Sequence, residues 1–301
     1  MDKKLKILVH LHLYYADQTE YFIDKLKNIN GADWDLMVTY SNQDEEAMNK
    51  LRGFKKETKF LEVENVGYDV WPFIKVIQSS DLDNYDYIIK LHTKREIDKL
   101  KINKLNLRSY EWRNRLVDSL LHNSTHFQNL LKKLDKDPRL GMVSSIVTLS
   151  KNAWDIYERR LQHEFGRMQL KLHKGMSNMG TMFMARSEIF QPLKQDWLNA
   201  EYFNDHPIHS GNNFTRSHIY ERVLSLLPIS QGFRHKGVSN IRGEALRITM
   251  ARILQYPFEW TFCLFRKGEH HRKALRLFGI EFYIGKPQCI KFSDSQSYEN
   301  E

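Results

Sequence analysis

Along the first third of the chain, short apolar runs alternate with segments whose apolar positions recur at helical spacing. Residues 6–13 read as a strand, and Tyr21, Phe22, Leu26 and Ile29 predict a helix over 18–29. Residues 34–40 form a second strand pattern, followed by the polar run Ser41, Asn42, Gln43 and Asp44, which offers a cap for a helix over 45–52. A third strand is predicted over 59–63. After a turn at 65–68 comes a helix over 70–79 with Pro72 in its first turn. Residues 85–91 make the fourth strand pattern.

Farther on, the pattern predicts a helix over 110–134, a strand over 140–147, a helix over 154–172 and a strand over 178–185. Helices follow over 187–197 and 217–227. The segments 245–265 and 269–278 interleave apolar and basic residues, which reads as a helical, basic C-terminal extension over 241–301, with a frayed tail from residue 293. No internal repeat or low-complexity segment interrupts the pattern.

The strand–helix rhythm of the first half implies an α/β fold with a mostly parallel sheet flanked by helices. Ligands of such sheets sit beyond the carboxyl ends of the strands, so chemistry is expected just after Leu13, Tyr40, Val63 and Leu91.

Composition narrows the class. Of 301 residues, 41% are hydrophobic and 12% aromatic, enough for a folded core. Forty-six Lys and Arg against 37 acidic residues give a net charge of +9, which favours a polyanionic or phosphorylated partner. No nucleic-acid motif accompanies that charge. The two cysteines, Cys263 and Cys289, form neither a disulfide framework nor a zinc ligand set. The apolar N-terminal run is short and broken by His10 and His12, unlike a signal peptide. With no long apolar stretch, a cytoplasmic setting is expected.

Five segments offer chemistry. The strand of Tyr85 to Leu91 runs into Lys90, His92, Thr93, Lys94 and Arg95. Many nucleotide-sugar enzymes hold a metal here with two acids; lysine is a poor metal ligand but a direct partner for phosphate. Lys94 with His92 therefore suits a departing diphosphate without a metal, although a solvated charged loop would look the same. Asn65, Gly67 and Asp69 form a turn and helix cap that also suits ribose or sugar hydroxyls. His10, His12, Tyr14 and Tyr15 end the first strand; the aromatics suit stacking on a base, or packing under a loop. Gly180, Thr181 and Arg186 belong to a strand where a ligand can come close, with Arg186 suited to phosphate or an acceptor carboxylate. His218, Glu221 and Arg222 share a late helix; Glu221 is the candidate base for an acceptor hydroxyl, with Asp205 as the second candidate.

In order, these blocks resemble the rhamnan synthesis protein F family of bacterial polysaccharide glycosyltransferases. The blocks are His10 to Tyr15, the Asn65–Gly67–Asp69 turn, Tyr85 to Lys94, Trp112–Arg113, Gly180 to Arg186, and Glu221–Arg222. The resemblance covers roughly residues 5 to 235. It implies a GT-A-like, Rossmann-type fold over 1–240, with a nucleotide-binding half over about 1–150 and an acceptor half over about 151–240. It also implies a nucleotide-sugar donor such as dTDP-rhamnose or UDP-galactose and a lipid-linked or polysaccharide acceptor of O-antigen or capsule type. The chain departs from the family pattern at Phe183–Met184 and in the loop 204–213, where an acceptor would bind. Metal independence is expected, with Mn or Mg the alternative. The basic extension is expected to touch an anionic inner-membrane surface. The rival readings are a non-catalytic glycan-binding or scaffold protein and, from the basic charge alone, a nucleic-acid binder.

Overall fold

The computed structural model describes residues 4–102, 105–150, 154–204, 215–267 and 272–284. Its elements run β1 (Lys6–His12), α1 (Thr19–Leu26), β2 (Asp33–Tyr40), α2 (Glu45–Phe54), β3 (Lys59–Glu62), α3 (Val70–Ser79), β4 (Tyr87–His92), β5 (Ile97–Ile102), β6 (Leu105–Ser109), α4 (Glu111–Leu121) and α5 (Ser124–Lys136). Then follow β7 (Leu140–Ser145), β8 (Leu149–Ser150), α6 (Trp154–Arg167), β9 (Ser177–Asn178), β10 (Phe183–Arg186), α7 (Arg216–Ser230), β11 (Arg234–Val238), α8 (Glu244–Thr261), β12 (Phe262–Lys267), β13 (Arg272–Leu277) and β14 (Ile280–Ile284).

Seven strands form one sheet in the order β11-β7-β10-β4-β1-β2-β3. All are parallel except β10, which runs antiparallel between β4 and β7. The expected mostly parallel α/β sheet flanked by helices is therefore present.

Because side chains alternate along a strand, each face of the sheet has its own core. Ile7, Val9 and Leu11 of β1, with Tyr87, Ile89 and Leu91 of β4, pack under α1, α4 and α5. Leu8 and Ile88 point the other way, into a cluster with Phe73, Ile74 and Ile77 of α3, Leu161 and Phe165 of α6, and Tyr220, Val223 and Leu224 of α7. On that second face the next positions toward the carboxyl ends are polar: His10 beside Lys90, then His12 beside His92.

The structure departs from the sequence pattern where capping and turns intervene. The helix expected over 110–134 is two helices. Asn123 accepts a hydrogen bond from the His126 amide and starts α5 afresh. The strand expected over 178–185 is split by a turn, with Gly180 and Thr181 both at positive φ (94° and 44°). The helix expected over 187–197 is a 3-10 segment, Ser187–Leu193, containing Pro192. The hairpin β5–β6 and the edge strand β11 are not among the expected elements, although Leu100, Ile102, Leu105 and Leu107 alternate with polar residues through the hairpin.

The largest correction is at the C-terminus. The extension is not wholly helical: α8 gives way to a three-stranded antiparallel sheet, β12-β13-β14. The alternation in β13 and β14 favours strand, and Phe278–Gly279 turns the chain between them with both φ positive (48° and 82°). Such two-residue turns match the natural strand twist. Helix α8 docks on the main domain: Arg115 pairs with buried Glu244 at 3.0 Å, Ile248 enters the cluster of Ile102, Leu107 and Val147, and Arg252 donates to the Ile146 and Leu149 carbonyls.

Antiparallel β10 also explains a second correction. Phe183, at its start, lies beside Lys90; Arg186, at its end, lies beside Tyr87, the first residue of β4. Arg186 is thus at the opposite edge of the sheet from the carboxyl ends. Its guanidinium donates to the carbonyls of Leu140 (3.1 Å), Leu134 (2.6 Å) and Asp137 (3.2 Å), closing the end of α5. It serves packing, not a phosphate or an acceptor. Arg186→Met is expected to cost about 2 kcal/mol of stability through the unmet carbonyls, read by urea denaturation.

Candidate active site

The polar end of the second sheet face is roofed by the start of α3, the turn before β10 and the amino-terminal part of α7. Asp69 precedes α3. Its Oδ2 accepts hydrogen bonds from Lys90 Nζ and Thr181 Oγ1, and Lys90 Nζ also lies 3.0 Å from Thr181 Oγ1. Lys90 is fully buried. Burial disfavours its charge, and burial likewise opposes ionisation of Asp69, but the neighbouring His92, Lys90 and Lys94 outweigh it and hold Asp69 well below the usual carboxylate range. The pair is a buried ion pair with a shared hydroxyl. Thr181 is a β-branched residue at φ +44°, a costly conformation that keeps its hydroxyl on both partners.

Around this pair stand imidazoles held neutral by burial. His10 Nε2 and His12 Nδ1 both meet Thr39 Oγ1, at 2.8 and 3.0 Å, and His10 stacks on Phe73. Burial lowers His12 to about 4 and takes His10 and His92 well below the usual imidazole value. The positive charge balancing Asp69 at neutral pH is therefore that of the lysines. His92 Nδ1 is 3.4 Å from Asp69 Oδ2, and both ring nitrogens are buried with no hydrogen-bond partner among the described residues. A ligand atom would reach these nitrogens only by displacing the protein atoms that cover them.

Lys94 is half-buried just past β4. Its Nζ sits 4.1 Å from the centre of the Trp112 ring. Gln18 fixes its backbone, donating to the Lys94 carbonyl at 2.7 Å and accepting from its amide at 3.3 Å. Gly180 lies against the same Lys94 side chain and Trp112. Thr93 is occupied structurally: its Oγ1 accepts from the amides of Tyr14 and Tyr15, both at 3.0 Å. That contact ties the ends of β1 and β4 together. Tyr14 is exposed, its ring 6.5 Å from that of His12, and meets Tyr15 edge-on at 4.9 Å. Gly67 packs so closely that a Cβ would fall 2.8 Å from that of Trp71. Asn65 and Arg95 are exposed.

On α7, burial and then Asp69 raise the pKa of the Glu221 carboxyl, against the opposing pull of Arg222, Lys94 and Lys90. Arg222 Nη1 lies 4.0 Å from Glu221 Oε2, and its guanidinium stacks 3.8 Å over Tyr157. His218 is bound to Thr215 Oγ1 at 2.7 Å and meets Tyr68 edge-on; burial takes it down to about 4. Asp205 lies outside the described residues. Of the residues singled out by sequence, the structure gathers His10, His12, Asp69, Lys90, His92, Lys94, Gly180, Thr181 and Glu221, and leaves Arg186 apart. Sequence reasoning missed Thr39, Gln18 and Phe73. Thr39 shares its sheet face with His10 and His12, a signal present in the alternation of β2; Gln18 had none.

A family model for rhamnan synthesis protein F matches residues 1–233. The chain belongs to the rhamnan synthesis protein F family. That places it among proteins of polysaccharide synthesis. No curated protein matches it significantly. Among solved structures, S. aureus TarS 1-349 aligns at 8% identity and a TM-score of 0.40, over 85% of this chain and 66% of that one. The fuller S. aureus TarS structure aligns at 8% identity and 0.40, over 83% of this chain and 39% of that one. The 4-diphosphocytidyl-2C-methyl-D-erythritol synthase of Anaerococcus prevotii aligns at 6% identity and 0.39, over 83% and 96%. The chain thus spans less than two thirds of the TarS chains it aligns with.

Among the described residues no group of three or more His, Cys, Asp or Glu is placed to hold an ion, and the Asp69 carboxylate is already engaged by Lys90 and Thr181.

Two outcomes follow from these electrostatics. Asp69→Asn leaves Lys90 buried without its counter-charge and is expected to cost about 3–5 kcal/mol in urea denaturation at neutral pH. In the wild type, the depressed Asp69 keeps its contribution until the pH falls below the ordinary carboxylate range. The histidines act earlier: with His12 lowered from 6.5 to about 4, the unfolded chain takes up its proton first as pH falls. Stability is therefore expected to decline across that window, by ~2 kcal/mol for one such histidine at about pH 5, and His12→Asn should flatten the decline.

Proposed function

We propose that this chain is a glycosyltransferase that moves a hexosyl or deoxyhexosyl group from a nucleoside-diphosphate sugar, dTDP-rhamnose or a UDP-hexose, to a growing surface polysaccharide such as an O-antigen or capsule. Family membership supports the polysaccharide context. The observation that carries the reading is Lys94, Lys90 and His92 gathered at the carboxyl end of β4, facing a carboxylic acid of raised pKa on α7.

In this reading the donor's base and ribose lie toward Tyr14 and Tyr15, and its diphosphate meets Lys94, with His92 beside it. Glu221, ionised, takes the proton of an acceptor hydroxyl. The acceptor oxygen attacks the anomeric carbon from the face opposite the diphosphate. As that C–O bond breaks, its electron pair moves onto the leaving phosphate oxygen, where the Lys94 cation stabilises the charge in place of a metal. One base and in-line attack invert the anomeric centre. A lipid-linked acceptor places the reaction at the cytoplasmic face of the membrane; no described helix is long and apolar enough to cross one.

Three measurements test this. Thermal shifts across a panel of nucleotide sugars should single out a donor. With that donor, Lys94→Ala is expected to lower kcat about 10²–10³-fold, and Glu221→Gln about 10²–10⁴-fold with the thermal shift retained. Near-normal turnover in Lys94→Ala rejects the diphosphate role. EDTA should leave turnover intact; loss restored by Mn²⁺ or Mg²⁺ rejects metal independence. Binding of sugars without turnover of any nucleotide sugar would favour the non-catalytic reading.

A further inference from the structure

The C-terminal unit exposes apolar side chains in an arrangement that its own core does not use. In the small sheet, cross-strand register puts Phe262 opposite Leu277 and Leu277 opposite Ile280; Leu275 faces Phe282, and Lys273 faces Ile284. With two-residue alternation, Phe262, Leu275, Leu277, Ile280, Phe282 and Ile284 share one face. That face is open: Phe262 is 65% exposed and Ile280 62%. On the other face Ala274 is buried, Arg276 is paired to Glu281 at 2.6 Å, and Tyr283 is exposed. The adjoining α8 repeats the arrangement. Its inner side carries Ile248 and the anchoring Arg252, while Leu246, Met250, Ile253 and Leu254, at helical spacing, are exposed. Ordinary soluble surfaces scatter such residues singly and do not align them over two adjoining elements.

Charge selects the occupant. The same register sets Arg266 opposite Lys273 at positions of the apolar face and Lys267 opposite Arg272 at positions of the other, so one end of the sheet gathers four basic positions. A second copy would bring the same cluster and the same +9 net charge. An anionic bilayer accepts both parts of the pattern, taking the apolar side chains into the acyl boundary and the cations at its headgroups.

We propose that α8 and the β12–β14 sheet form a platform that docks this protein on an anionic lipid surface. It goes beyond the donor chemistry and does not depend on it, because its test reads lipid binding and not transfer.

The experiment is flotation of the full chain with vesicles of phosphatidylcholine alone and of phosphatidylcholine mixed with phosphatidylglycerol, at low and high salt. Binding is expected only to the mixed vesicles, weakening as salt rises. The double substitution Ile280→Ser with Phe282→Ser should weaken it about tenfold or more. Arg266→Gln and Lys273→Gln, which leave the apolar side chains intact, should each weaken it about fivefold. An unchanged thermal unfolding midpoint in these variants will show that the main domain still folds. Absence of flotation with the mixed vesicles overturns the proposal, as does equal binding to both kinds. A concentration-dependent dimer in light scattering that Ile280→Ser with Phe282→Ser dissolves, without flotation, would assign the face to a second copy instead.

Discussion

The whole site hangs on one ammonium taken out of water. Lys90 sits in the middle of the sheet, on its central strand, with no exposure, and a lone cation there would cost several kcal/mol. Asp69 answers that charge and Thr181 bonds to both partners, drawing the start of α3 and the turn before β10 onto the end of β4. Such a pair adds little net stability over a well-packed apolar substitute. What it provides is position: three chain segments far apart in sequence are held at one point, and the cluster's one firmly ionised acid is engaged within the protein. Two neutral imidazoles anchored on Thr39 fill the adjoining space, where further charge would have strained the same desolvated region.

The antiparallel strand is the second determinant. A wholly parallel sheet would bring the end of one strand beside the end of the next. With β10 reversed, its beginning meets the end of β4, so the residues just before it, Gly180 and Thr181, arrive at the site, while Arg186 at its far end cannot. The positive φ values of Gly180 and Thr181 are the local cost of making that turn tightly enough to reach Asp69.

Much of this was legible in the sequence. The first four strands and the helices between them followed from apolar spacing, and the polar residues after Leu91 stood out because nothing in packing requires a lysine and a histidine at alternate positions of a buried strand. The alternation His10–Leu11–His12 against Lys90–Leu91–His92 contained more than was drawn from it: two strands with the same period place four polar residues on one face, and the register of β1 with β4 makes them neighbours. What sequence does not encode locally stayed hidden. The pairing of Asp69 with Lys90 spans a helix and a strand. Gln18 acts through backbone bonds to Lys94, and the reversal of β10 depends on which strands it joins. At the C-terminus, interleaved basic and apolar residues fit helix and strand alike, and the turn at Phe278–Gly279 decided for strand.

On the proposed reading, the lysines do more than receive a diphosphate. Burial and Asp69 push the Glu221 pKa up, while Arg222, Lys94 and Lys90 pull it down. In the empty site those cations favour the ionised form that a base must have. A bound diphosphate neutralises Lys94 and brings more negative charge, and both changes raise the proton affinity of the neighbouring carboxylate. Glu221 therefore becomes a stronger base when the donor is in place and a weaker one when it is not. On this reading the groups that would hold the leaving group and the group that would activate the acceptor are coupled through space, because Glu221 feels the charges of Asp69, Lys94 and Lys90 in one poorly solvated cluster.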